Sequence, residues 1–73
     1  MITRVGPAMG TKADGSEVML FLVQAEVGGE LLHVAASADV KAHPGFHDFV
    51  WRSAEVVLRR KIRDREERLN DHA

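Results

Sequence analysis

Every second residue from Met19 to Val27 is apolar, as is every second residue from Leu32 to Ala36, and Gly28-Gly29 separates the two runs. A period of two is the mark of a strand with one buried face. A Gly-Gly pair between such runs suits a two-residue hairpin turn, because both central residues can take positive φ. That turn implies a register in which Ala25 faces Leu32, Val23 faces Val34 and Phe21 faces Ala36. Met19 and Val27 extend these positions into one continuous apolar face, and agreement between turn and alternation is what specifies a register. The opposite face reads Leu20, Leu22, Gln24 and Glu26 on one strand and Leu31, His33 and Ala35 on the other. It is polar near the turn but apolar at Leu20, Leu22 and Ala35, where a solvated sheet face would be polar.

Upstream, Ala13-Asp14-Gly15-Ser16 is a second turn signal. It brings a first strand, about residues 2–9, beside the central one. Gly6-Pro7 interrupts this strand, and proline cannot donate to a ladder, so the strand belongs at an edge. The pattern leaves its register open.

From Phe46 the period changes. Phe46, Phe49, Val50, Ala54 and Val57 recur at steps of three and four, which predicts a helix face. Pro44 suits a first helical turn and Asp48 lies near the positive end of the helix dipole. No proline or glycine follows, so the helix is expected over 45–70, at about 1.5 Å per residue nearly 40 Å long, more than the short sheet is expected to cover. The fold class is therefore α+β: a small antiparallel three-stranded sheet (strands about 2–9, 18–27 and 30–36) followed by one long C-terminal helix, β-β-β-α. Residues 1–73 form a single domain, with sheet over 1–36, helix over 45–70 and a tail over 71–73. The expected core is Met19, Phe21, Val23, Leu32, Val34, Phe46, Val50 and Val57.

The helix carries a second apolar line. Trp51, Leu58, Ile62 and Leu69 are spaced by seven, four and seven, as in a heptad seam, with Glu55 and Arg65 interrupting it. The line lies about 110° from the first face at roughly 100° per residue. One face can then pack on the sheet while Trp51, Leu58, Ile62 and Leu69 meet a second copy as a dimer interface. The alternative is one broad stripe wrapping a single core.

Composition sharpens the dimer expectation. A chain of 73 residues buries only roughly 60% of the surface it exposes unfolded, and such domains need disulfides, metals or oligomerisation. There is no cysteine, which removes disulfides and thiolate zinc sites and fits a reducing, cytoplasmic compartment. The longest apolar run, Val18 to Val23, is far short of the roughly 20 residues of a membrane helix, and Met1-Ile2-Thr3-Arg4 does not begin a secretion signal; no membrane partner is expected.

Charge is uneven. The net charge is −1, yet residues 1–40 carry two basic side chains against five acidic ones, while residues 41–73 carry eight against six. Arg52, Arg59 and Arg63 fall within about 40° of one another on a helical wheel, and with Arg60 they form a stripe able to neutralise phosphates. Glu55–Arg59 and Asp64–Arg68 have the i,i+4 order of a solvated, ion-paired helix. Acids at 64, 66 and 67 dilute the field, and with no tyrosine base-stacking platforms are scarce.

Candidate chemistry is thin. His43 and His47 have a metal-like spacing, but Pro44-Gly45 intervenes and no third ligand is near. His33 falls on the outer sheet face and His72 in the tail. Ser37, Asp39 and His43 share one connection without the relay geometry of a triad; Ser37 and Asp39 are better suited to capping and turns. Gly6 to Lys12 lacks the spacing and following helix of a phosphate loop. No catalytic residue, cofactor or metal is expected. The functional expectation is a small non-enzymatic protein-binding module (an adaptor, regulator or inhibitor) that dimerises through its helix and offers Leu20, Leu22 and Leu31 to a larger protein. A dimeric nucleic-acid-binding protein using Arg52, Arg59, Arg60 and Arg63 ranks second.

Overall fold

The structure, a computed structural model, describes residues 1–71, with side chains described as far as Arg68. Three strands, β1 (Thr3–Thr11), β2 (Glu17–Val27) and β3 (Glu30–Asp39), precede one helix, α1 (Pro44–Asp71). The sheet is antiparallel with order β1-β2-β3, so the α+β arrangement expected from the pattern is the one observed.

The β2–β3 register is the expected one, with Ala25 opposite Leu32, Val23 opposite Val34 and Phe21 opposite Ala36. Gly28 and Gly29 both have positive φ, 58° and 80°, the backbone of a type I′ turn whose twist matches the strands it joins. The strand pairing continues past the expected end at residue 36, to Asp39 opposite Val18.

β1 holds the feature that pattern could not resolve. Val5 pairs with Leu22 and Ala8 with Leu20, so Gly6-Pro7 inserts one extra residue as a bulge. Gly6 has φ 103°, and a Cβ there would sit 3.0 Å from the Ala8 nitrogen and 3.1 Å from the Leu20 carbonyl oxygen, so the bulge requires glycine. The shift keeps Val5 and Ala8 on one face, beside Leu22 and Leu20, and turns Arg4 and Met9 to the other, opposite Val23 and Met19.

After β3 the chain turns at Asp39, whose carboxylate accepts the Lys41 N–H (2.7 Å) while its carbonyl accepts that of Ala42 (2.9 Å). His43 caps the helix: its Nδ1 accepts the Gly45 N–H at 3.0 Å and its carbonyl accepts that of Phe46 at 2.8 Å. Asp39 thus serves the turn as expected, but the cap is His43, and Ser37 lies within β3 opposite Leu20.

α1 then runs back along the hairpin. Contacts tie Trp51 to Phe21, Glu55 to Arg4, Lys61 to the His33 carbonyl and Arg65 to Glu30 beside the turn. The expected overhang is correspondingly small, because Arg65 still reaches the sheet. The buried cluster is Phe21, Val23, Ala25, Ala38, Val50, Trp51, Ala54 and Leu58, with Met19, Leu32, Val34, Ala36 and Ile62 packed against it.

This corrects the azimuth of the helix. Trp51 and Leu58 are 8% and 0% exposed inside one chain, whereas Phe46 and Val57, expected in the core, are exposed. The physical reason lies beyond Val57. The first apolar face ends there, while the Trp51 line continues through Leu58 and Ile62, which a helix crossing the whole hairpin needs. Val50 and Ala54 border both faces and join the core, so the two expected arcs merge into one stripe. Glu55 and Arg65 do not interrupt a seam; they reach past its rim to pair with Arg4 and Glu30.

Candidate functional site

The helix covers one side of the sheet, with contacts to β2 and β3 far outnumbering any to β1. Among the described residues no element covers the other side. Cross-strand partners arrange its side chains in rows, because opposite residues on paired strands share a face. Two central rows are Val5–Leu22–Ala35 and Ala8–Leu20–Ser37. Toward the turn follow Thr3–Gln24–His33 and then Glu26–Leu31; toward the far end lies Gly10–Val18–Asp39. Polar side chains border this apolar centre at Gln24, His33 and Glu26 on the turn side and at Asp39 on the far side, where Val18 is itself buried.

Leu20 is 43% and Leu31 57% exposed, and Leu22 is half-buried by its neighbours. Leu20 leans across onto β1: a Cβ at Gly10 would meet its Cδ1 at 3.0 Å. Glycine at that position gives Leu20 the room to lie over the neighbouring strand. The structure therefore sets Leu20 and Leu22 side by side, with Leu31 on the same face but beyond the polar row Thr3–Gln24–His33, and it adds Val5 and Ala8. Sequence pattern missed these two because a one-residue bulge reverses every side chain beyond it.

A second exposed apolar group lies on the outer side of α1. Phe46 and Phe49 stack with ring centroids 5.8 Å apart, and Val56 and Val57 lie beyond them. Phe49 is 61% exposed. The spacing announced this arc, but as core.

The other singled-out residues are dispersed. Trp51 and Leu58 are core residues and Ile62 packs against them, so these three are occupied within the chain and do not form an outward seam; Leu69 lies outside the described side chains. Arg52, Arg59, Arg60 and Arg63 are all exposed. Arg52 pairs with Asp48 at 3.4 Å and Arg59 approaches Glu55 at 3.9 Å, both in the i,i+4 relation. Arg4 packs over Trp51, its guanidinium carbon 5.2 Å from the ring centroid, while its Nε donates to Glu55. This arrangement seals the side of the core that β1 leaves open.

Histidines share no site. His33 lies on the outer face, His43 caps the helix, and His47 packs against Phe21 with centroids 5.6 Å apart and its Nε2 without a partner. His72 lies outside the described residues. Among the described residues no group of three or more His, Asp or Glu is placed to hold a metal. The first concavity lies between α1 and the hairpin end, lined by Glu30, Leu32, Lys61, Asp64, Arg65 and Arg68. The second, at the β3–α1 connection, is lined by Ser16, Glu17, Asp39, Val40 and Lys41. Asp14, in the β1–β2 turn, has its carboxyl held below the ordinary aspartate range, first by the Ser16 hydroxyl at 2.6 Å and then by the Ser16 N–H at 2.9 Å; this is turn chemistry. No helix is long and apolar enough to cross a membrane among the described residues. Comparison with protein-family models, with curated proteins and with solved structures finds no match for this chain.

Proposed function

We propose that the chain is a non-catalytic protein-binding module that works through the bare outer face of its sheet. The observation that carries this reading is the pair of apolar rows centred on Leu22 and Leu20, left uncovered by α1 and framed by polar residues. An apolar centre with a polar rim is the anatomy of a protein interface, and contiguous exposed apolar patches on small proteins mark interaction surfaces. The nucleic-acid alternative draws less support, since Arg52 and Arg59 are already engaged by acids of their own helix and acids at 64, 66 and 67 offset the rest.

The test is site-specific photocrosslinking in cells. A photoreactive side chain at Leu20 or Leu31 is expected to yield discrete protein adducts, and one at Ser53, exposed on α1, is not. Adducts confined to Ser53, or to positions among the arginines, would reject the reading.

A further inference from the structure

We infer that the outer sheet face receives a single amphipathic helix of a partner protein, its apolar stripe over Leu20 and Leu22 and basic side chains toward both its ends. The inference rests on the interaction-face reading and adds to it the chemistry of the partner.

The dimensions of the face suit a helix. β2 is the central strand of the sheet and has eleven residues. At about 3.3 Å per residue, with neighbouring strands about 4.8 Å away, the face measures roughly 36 by 14 Å. An α-helix with its side chains is about 10–12 Å across, so one helix laid along β2 fills the width. The area, on the order of 500 Å² from these spacings, is less than the ~800 Å² that each globular partner gives a standard interface. Leu20 leans onto β1 over Gly10, while Ser37 and Ala35, beside Leu20 and Leu22 on β3, are small. The face is therefore low on its β3 side, where a helix can lie against both leucines. α1 lies over β2 and β3 in the same way on the inner face. An extended peptide would instead need a free sheet border. The Gly6-Pro7 bulge interrupts one border, and Lys61 takes the His33 carbonyl on the other.

Charge sets the sign of the partner. The rows of the face contain two carboxylates, Glu26 and Asp39, both exposed, and no lysine or arginine. They stand at opposite ends of the apolar centre. Asp39 is opposite Val18, so eight residues of β2 separate the two positions, about 26 Å along the strand. A helix covers that distance in about 18 residues. Asp39 already accepts the Lys41 N–H, and a carboxylate with about four lone-pair sites can accept further donors. Basic residues near the two ends of the bound helix pair with these carboxylates, whereas acidic ones meet like charge. Such rim charges set orientation and exclude wrong partners, while the apolar centre supplies the adhesion.

Fluorescence anisotropy with labelled peptides of about 18 residues, the length set by the helical rise, tests the proposal. One carries a leucine stripe at helical spacing with arginines at both ends, a second has glutamates in place of the arginines, and a third keeps the arginines but alternates its leucines as a strand does. The arginine-ended helix is expected to bind in the micromolar range, and the glutamate-ended one at least about tenfold more weakly. Leu20→Lys is expected to cost at least roughly 30-fold, the loss that marks the centre of an interface. Glu26→Lys is expected to shrink the preference for arginine ends, and Phe49→Lys, on the outer side of α1, to change nothing. Circular dichroism checks the fold, and Leu31→Lys, at a more exposed position of the same face, replaces Leu20→Lys should the latter unfold. Equal binding of the two helical peptides, tighter binding of the alternating one, or binding that survives both leucine substitutions overturns the proposal. Failure of all three peptides to bind also overturns it. Discrete crosslinks from Leu20 or Leu31 in cells would then keep the interaction face for a partner of another shape, and their absence would remove both.

Discussion

The two faces of the sheet are built from the same three strands, and one-residue steps in register separate them, yet they end in different environments. The inner face carries Phe21, Val23 and Ala25, all at 4% exposure or less, because α1 presents Trp51, Ala54 and Leu58 to them. The outer face carries Leu20, Leu22 and Leu31, residues of comparable hydrophobicity, and no element among the described residues packs over them. Hydrophobicity alone therefore does not locate the core of a small domain. What distinguishes the inner face is continuity with a helix that stays apolar along the whole hairpin.

Breaking the inner face has the largest expected effect. Phe21→Ala removes a fully buried ring packed edge-on against Trp51, 4.9 Å between centroids, and is expected to cost about 3–5 kcal/mol in denaturant unfolding. Leu31→Ala on the outer face, measured at a concentration where the chain is monomeric, is expected to stay within about 0.5 kcal/mol. Equal losses at the two positions would erase the contrast between the faces.

The turn that assigns residues to faces comes next. A slip of one residue would exchange inner for outer side chains throughout β3, and Gly28 and Gly29 prevent it by accepting positive φ. Substituting either by Val is expected to destabilise the fold by about 1–2 kcal/mol, the cost of a branched residue in left-handed backbone, read from thermal melts. Smaller still is the bond that closes the inner face at β1. A double-mutant cycle of Arg4→Ala and Glu55→Ala is expected to give a coupling of roughly 0.2–1 kcal/mol, since Arg4 remains half exposed.

Smallest is the effect of pH at Asp14. Its carboxyl titrates below the ordinary range in the folded chain, so the folded state holds the proton less tightly than the unfolded one. The stabilisation is present above the unfolded value and disappears as pH falls through the folded one. Asp14→Asn is expected to remove this acid-limb slope, lowering the melting temperature slightly at neutral pH and converging with the wild type as pH falls below the folded value.

The hairpin and its register can be read from the sequence, because Gly28-Gly29 and the alternation of Phe21, Val23 and Ala25 point to one answer. The existence of α1 follows in the same way from spacing after Phe46. Two features escape that reasoning for definite causes. The bulge at Gly6-Pro7 adds a residue without a hydrophobic signature, so the face occupied by Val5 and Ala8 is fixed only by pairing with Leu22 and Leu20. The rotation of α1 is ambiguous while the Phe46 and Trp51 arcs are compared over their first turns; it resolves when Leu58 and Ile62 are weighed against the charged positions that follow Val57. Of the candidate interaction surface, Leu20, Leu22 and Leu31 stand out as apolar residues on what should be a polar face, and their companions on β1 do not.

The borders of the sheet matter as much as its faces. In a hairpin closed at Val27 and Glu30, alternate pairs leave their amide groups pointing away from the partner strand, and Gln24–His33 is one of these. The His33 carbonyl therefore looks outward along β3, and Lys61 takes it at 3.3 Å. On the opposite border the β1 bulge bends the ladder and its proline offers no donor. Both borders are thus obstructed against strand addition, by a lysine on one side and a kink on the other, two devices that restrain sheets from growing sideways into fibrils. With lateral growth hindered at both borders, the apolar outer face does not by itself template the open-ended addition of further strands.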